Sequence, residues 1–107
     1  MIKLTTWEMD RSFFPHEPEE RMKLTMTLCE MVKQSMDDGK MKMWGMNPGG
    51  NHGFSVTDGD GKEILAMVVQ YIPHVKFRVE PMLSIDEVIA AIQSVQERAH
   101  DKFVLMA

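Results

Sequence analysis

Four segments of the chain alternate between two kinds of side chain, as β-strands with two different faces do. They are Ile2–Glu8, Lys40–Met46, Gly53–Asp58 and Val75–Val79. The second and third flank Asn47–His52, a loop whose glycine pair and proline are typical of a turn between paired strands. The pattern therefore predicts four strands, two of which form a hairpin.

Two helices are predicted between these strands. The first begins at Pro18, whose fixed φ suits the first helical turn, and ends at Gly39, which suits a left-handed cap. Its buried stripe comprises Thr25, Leu28, Cys29, Val32 and Met36. This position predicts that Cys29 is an inert core thiol rather than a nucleophile. The second helix is short, spanning about Lys62–Tyr71.

A third helix is predicted after the last strand, which Pro81 is expected to end. Ser84 and Glu87 have the spacing of a capping box, in which each side chain satisfies a free amide. Apolar residues at helical spacing follow: Ile85, Val88, Ile89, Ile92 and Val95. The tail, Phe103–Met106, is apolar enough to form an added strand or an arm exchanged with a second subunit.

The order strand, helix, strand, strand, helix, strand predicts an α+β fold of the ferredoxin-like plait type with an extra C-terminal helix. It predicts one domain over residues 1–107, with a four-stranded antiparallel sheet in the order 4-1-3-2. In this arrangement the first two helices cover only one face of the sheet. The other face is left open.

The helices are expected to cover the more hydrophobic face of the sheet. The predicted helix-covered face carries Ile2, Leu4, Met41, Met43, Phe54, Val56, Val75, Phe77 and Val79. The predicted open face carries Lys3, Thr5, Trp7, Lys42, Trp44, Met46, Ser55, Thr57, His74, Lys76 and Arg78. Since two tryptophans on an open face need cover, the pattern predicts a homodimer with its sheets face to face, a dimeric α/β barrel.

A candidate site follows from the predicted sheet order, which brings several open-face residues to one end of the sheet. They are Trp7, Trp44, Ser55 and His74, with Asn47 and His52 of the hairpin loop nearby. Aromatic walls with a few polar groups suit a small apolar or aromatic ligand inside the barrel. His74 is the candidate for proton transfer, with Glu8 a second; the alternative is that His74 only makes a hydrogen bond in a dimer interface.

Two stretches carry a resemblance to known proteins. Gly53-Phe54-Ser55-Val56 and the run from Tyr71 to Pro81 resemble an uncharacterised family of short ferredoxin-like domains whose last strand reads Phe-x-Val-x-Pro. The wider architecture is similar to the dimeric α/β barrels, which include muconolactone isomerases and small cofactor-free monooxygenases. The resemblance implies a fold and a dimer, and it brings no catalytic motif that can be matched to residues of this chain.

Composition narrows the functional alternatives. The net charge of −4 and the lack of a ribonucleoprotein motif disfavour an RNA-recognition module. It is kept as the alternative because the predicted open face carries both tryptophans and the positive charges of Lys3, Lys42, Lys76 and Arg78. A structural or regulatory subunit without a ligand is the third class. One cysteine, an N-terminus without a signal-like apolar run and no membrane-length apolar segment predict a cytoplasmic protein. Neither a metal nor a cofactor is expected.

Overall fold

The computed structural model describes the backbone of residues 1–106 and the side chains of residues 1–99. The elements follow one another in the predicted order, with a single turn of 3₁₀ helix, Arg11–Phe13, after the first strand. The strands are β1 (Ile2–Met9), β2 (Met41–Met46), β3 (His52–Asp58) and β4 (Val75–Met82). The helices are α1 (Pro18–Asp37), α2 (Gly61–Val69) and α3 (Ile85–Met106).

The four strands form one open antiparallel sheet in the order β2-β3-β1-β4. This is the order 4-1-3-2 counted from the other edge. The central strand β1 pairs with β3 on one side and β4 on the other, so that Trp7 lies opposite Gly53 and Phe77. The architecture is α+β with three helices, and it is compatible with a ferredoxin-like plait.

Local signals at the helix ends are confirmed. Helix α1 begins at Pro18, and the Glu17 carboxylate accepts hydrogen bonds from the next free amides. After the end of the helix, Gly39 has a φ of +76°, the left-handed conformation that glycine adopts without strain. At the start of α3, the Ser84 and Glu87 side chains each accept from the other's backbone amide at 3.1 Å, which is the predicted capping box.

The prediction that Pro81 ends the last strand is wrong, since β4 continues through Pro81 to Met82. Strand β4 is an edge strand, and proline is tolerated there because the outer side of an edge strand needs no amide donor for a neighbour.

The prediction for the two faces of the sheet is wrong in β1 and β3. Trp7 is 6% exposed and packs with Leu28 of α1 in the core, and Thr5, Ser55 and Thr57 are also buried. Residues paired across neighbouring strands share a face, and Trp7 pairs with Phe77, which packs against the same core. The prediction placed these two side chains on opposite faces, which the observed register excludes. The open face instead carries Ile2, Leu4, Thr6, Phe54 and Val56.

A register shift between Met41 and Met43 changes the alternation in β2. Met41 is buried and Trp44 packs against the core, whereas Met43, which lies between these two residues in the sequence, is 55% exposed. Met41 and Trp44 therefore face the helices, although their numbers differ in parity. A bulge of this kind changes the direction of every later side chain in the strand.

Helix α3 extends away from the rest of the molecule. The principal extents are 75 × 26 × 25 Å and the radius of gyration is 20.2 Å, whereas a compact domain of this length has a radius of about 13 Å. Every side chain from residue 89 to residue 99 is exposed. The segment predicted as an added strand or arm, Phe103–Met106, continues α3, and its side chains lie outside the described residues. Within the described part of the chain, no helix is both long and apolar enough to span a bilayer.

Candidate functional site

A cavity of about 210 Å³ lies between α1 and the helix-covered face of the sheet. Its aromatic wall is formed by Trp7 and Trp44, whose rings stack with centroids 5.4 Å apart and planes 13° apart. Helix α1 supplies Leu28 and Val32. The remaining apolar lining comes from Met9, Met41, Met46, Met67, Tyr71, Val75 and Phe77. The cavity is thus an apolar space bounded by three aromatic residue types.

The packing around the cavity holds these rings in place. Tyr71 meets the edge of Phe77 at a centroid distance of 5.6 Å, an arrangement that favours both rings. Phe14 is buried in the same core, while its neighbour Phe13 is 54% exposed. Of these two neighbouring rings, only Phe14 therefore packs inward.

Two buried polar atoms belong to residues that line the cavity. Trp7 Nε1 and the Tyr71 hydroxyl make no hydrogen bond with any described residue. Burial raises the pKa of Tyr71 above its ordinary value of 10.0, and the phenol is neutral at pH 7 with or without this shift. The Ser35 hydroxyl is near enough to offset part of this pKa shift, although it makes no hydrogen bond of standard geometry. Both atoms are inaccessible to water, so they belong to the packing behind the wall and are not donors on its surface.

The mouth of the cavity is formed by the turn after β1 and the hairpin loop. Arg11 and Gly50 line it, and the Arg11 Nη2 donates to the Gly50 carbonyl oxygen at 3.2 Å. Cys29 of α1 also lines the cavity. It is exposed, so the prediction that it is a core thiol is wrong. The reason is that Cys29 borders the open cavity and not a packed part of the core.

The six predicted site residues separate into two groups. Trp7, Trp44 and Ser55 line the same cavity, but it lies under the helices and not on the open face. The other three, His74, Asn47 and His52, do not line it.

The three remaining residues have contacts of their own. His74 packs edge-on against Phe14 at 5.5 Å, which assigns it a packing contact and leaves proton transfer as an untested prediction. The Asn47 Oδ1 accepts from the backbone amides of Asn51 and His52, which stabilises the hairpin loop. His52 lies across from Glu8, which is exposed and, by alternation with the buried Trp7, lies on the face away from the helices.

A second concavity of about 380 Å³ lies at the end of the sheet near the hairpin loop, on the side of Glu8 and His52. Its charged lining residues are Glu8, Lys76 and Arg78, and the two cations are paired with Asp10 at 3.5 Å and Glu80 at 2.9 Å, respectively. The RNA-recognition alternative depended on tryptophans on the open face; the exposed aromatic side chain observed there is Phe54, and both tryptophans face the helices. The alternative thereby loses the stacking platform on which it was based.

The sequence interpretation missed Met41, Met67, Tyr71 and Phe77 as members of one site. No local sequence pattern signals them: Phe77, for example, joins the site through its pairing with Trp7, which the structure shows and the alternation within each strand does not. Among the residues searched, no group of three or more His, Cys, Asp and Glu side chains is placed to hold a metal ion.

Comparison with known proteins identifies no family for this chain. No protein-family model matches the chain, and no curated protein is similar to it in sequence at a significant level. The resemblance to short ferredoxin-like domains therefore stays a prediction, and the site is interpreted from its own residues.

Proposed function

We propose that this domain binds a small apolar or aromatic molecule in the cavity beneath α1. The observation that carries the proposal is the apolar cavity with the stacked rings of Trp7 and Trp44 in its wall. An apolar ligand that lies against these rings is removed from water together with them, and this burial of apolar surface stabilises the complex.

The size of the cavity limits the ligand. Its volume of about 210 Å³ exceeds the roughly 150 Å³ of an engineered cavity that binds benzene, and is smaller than the roughly 300 Å³ at which pockets for drug-sized molecules begin. A molecule with one or two rings, or a short branched chain, is therefore the expected occupant.

The test uses naphthalene as the probe and calorimetry or tryptophan fluorescence as the measurement. Val32 lines the cavity, so Val32→Phe is expected to fill part of it and weaken naphthalene binding at least tenfold while the circular dichroism is unchanged. Lys33→Phe adds the same ring at the next, exposed position of α1 and serves as the matched control. Failure of the wild-type protein to bind naphthalene, or equal binding by Val32→Phe, would contradict the proposal and favour a subunit without a ligand.

We also propose that two copies associate as a homodimer, now through different residues from those first expected. The open face carries a patch of apolar side chains, Ile2, Leu4, Met43, Phe54 and Val56, and Met43 and Ile2 are 55% and 43% exposed. Helix α3 carries a second uncovered surface, with Ile92 at 53% and Val95 at 60% exposed. Burying such a side chain contributes about 1.5–3 kcal/mol.

A second copy is the occupant that accounts for both surfaces at once. A lone amphipathic helix is marginal in water, because its stability comes mainly from packing of the apolar side. Helix α3 has 22 residues, and its exposed stripe finds no cover within the described part of its own chain. A twofold pair brings each copy's α3 and open face to the other copy, and a dimeric α/β barrel is one such arrangement.

Sedimentation tests the homodimer. Phe54→Glu and Ile92→Glu are expected to shift the wild-type dimer toward monomer, because each places a charge within one of the two apolar surfaces. Met22→Glu, at an exposed methionine on α1, and Ala90→Glu, on the polar side of α3, are the matched controls. A wild-type protein that sediments as a monomer at high micromolar concentration would end this proposal, while leaving ligand binding intact.

A further inference from the structure

Arg11 lies at the one part of the cavity where a charged side chain meets the apolar lining. It belongs to the 3₁₀ turn after β1, which the Asp10 side chain caps by accepting from the Ser12 amide. The Arg11 Nη2 donates to the Gly50 carbonyl oxygen at 3.2 Å and to Asn51 Oδ1 at 3.1 Å. Its guanidinium carbon also lies 5.9 Å from the centre of the Phe14 ring. These contacts hold the cation beside the cavity mouth.

The partners of this guanidinium are neutral. Within residues 1–99 no carboxylate lies within ion-pair distance of Arg11. The adjacent carboxylate, Asp10, is engaged by the Ser12 hydroxyl at 2.6 Å and by Lys76 at 3.5 Å. Both observed hydrogen bonds of Arg11 come from Nη2, whereas a guanidinium has five N–H donors over three nitrogens. The Nε and Nη1 donors are left for another acceptor.

We propose that the ligand of the cavity carries a carboxylate, which binds Arg11 while the apolar or aromatic body of the ligand lies against Trp7 and Trp44. A guanidinium matches a carboxylate with two parallel hydrogen bonds, and such charge-assisted pairs are about twice as strong as neutral ones. The ligand class is thus a small aryl or branched-chain carboxylic acid. This inference rests on the proposed binding function and adds the charge and orientation of the ligand.

Orientation follows from the distribution of polar groups. Arg11 is exposed at the mouth, and the other lining residues named above are mostly apolar. A carboxylate placed deep among them would be desolvated without a counter-charge, which is costly. The ligand therefore enters with its ring first and keeps its carboxylate at Arg11, partly in contact with water.

The test compares naphthoate with its neutral methyl ester by calorimetry, at low and high salt. The wild-type protein is expected to bind naphthoate about tenfold or more tightly than the ester, because the ester lacks the charge. Arg11→Gln is expected to remove this preference by weakening naphthoate binding about tenfold or more relative to binding of the ester. Added salt is expected to weaken naphthoate binding only, since an exposed ion pair is screened.

Two further variants separate charge from loop structure. Arg21→Gln makes the same change at an exposed position of α1 and should leave both affinities unchanged. Asn51→Ala removes one loop contact of Arg11 but keeps the guanidinium, and it should retain the preference for naphthoate. Equal loss of naphthoate and ester binding in Arg11→Gln would mean that Arg11 acts only through the loop, which overturns the inference.

The outcomes also distinguish this inference from the function on which it rests. Equal wild-type affinity for naphthoate and its ester would overturn the carboxylate assignment and leave a binding site for neutral molecules. Binding of neither probe, nor of naphthalene, would overturn both proposals.

Discussion

The indole ring of Trp7 covers the backbone of Gly53, its partner in the pairing of β1 with β3. A β-carbon on Gly53 would lie 2.6 Å from Trp7 Cζ2 and would also collide with the Gly45 carbonyl oxygen. The wall of the cavity therefore depends on a residue without a side chain, because only glycine lets a large ring lie this close to the neighbouring strand.

Gly53→Ala is expected to lower the free energy of unfolding by about 1–3 kcal/mol, the usual cost of overpacking. The clash includes a backbone oxygen, which cannot move aside as a flexible side chain can. Gly61→Ala is the matched control, because a β-carbon there meets no atom within 4 Å. Urea unfolding at one protein concentration measures both. Equal midpoints for the two variants would show that Trp7 does not depend on Gly53.

The sequence predicts those features of the structure that depend on residues close together in the chain. Pro18, Gly39 and the pair Ser84 and Glu87 act within one helical turn, and the helix ends that they predict are confirmed. The two faces of the sheet depend instead on how distant strands align. Trp7 and Phe77 are seventy residues apart in the chain, as their numbers show, and their pairing cannot be derived from alternation within either strand.

The candidate site shows the same division. The predicted sheet order brings Trp7, Trp44 and Ser55 together, and all three line the cavity. The prediction that these residues lie on the open face is wrong, because both faces of the sheet carry large apolar side chains. Hydrophobicity alone therefore does not show which face the helices cover. The bulge between Met41 and Met43 adds a change of direction that no local pattern in β2 indicates.

The phenol of Tyr71 is expected to ionise only above its ordinary pKa of 10.0, because burial disfavours the charged form. Tyr71 is the one tyrosine in the sequence, so tyrosinate absorbance reports this residue alone. Since the pKa is raised by folding, this contribution to stability is complete below pH 10 and is lost as the pH rises above it. The protein unfolded in urea provides the reference titration, and identical pKa values in both states would refute the expected burial.

Asp10 is expected to titrate below its ordinary pKa, chiefly because the Ser12 hydroxyl donates to its carboxylate at 2.6 Å. Lys76 contributes less, so Ser12→Ala should raise the pKa of Asp10 more than Lys76→Met does. Because folding lowers this pKa, the stabilisation is present above the unfolded value near 3.8 and is lost as the pH falls below it. NMR titration of the Asp10 carboxyl resonance measures its pKa in both variants. A larger increase of this pKa in Lys76→Met than in Ser12→Ala would contradict the expectation.

The thiol of Cys29 provides a direct measure of cavity occupancy. It is exposed and lines the cavity, so a disulfide reagent can reach it in the free protein. Saturating naphthalene is expected to slow its modification severalfold, because the bound molecule covers the thiol. In Val32→Phe, naphthalene should give no protection, since the cavity is partly filled. An unchanged rate in the wild-type protein under conditions where calorimetry shows binding would place the naphthalene elsewhere, and the cavity beneath α1 would then not be the binding site.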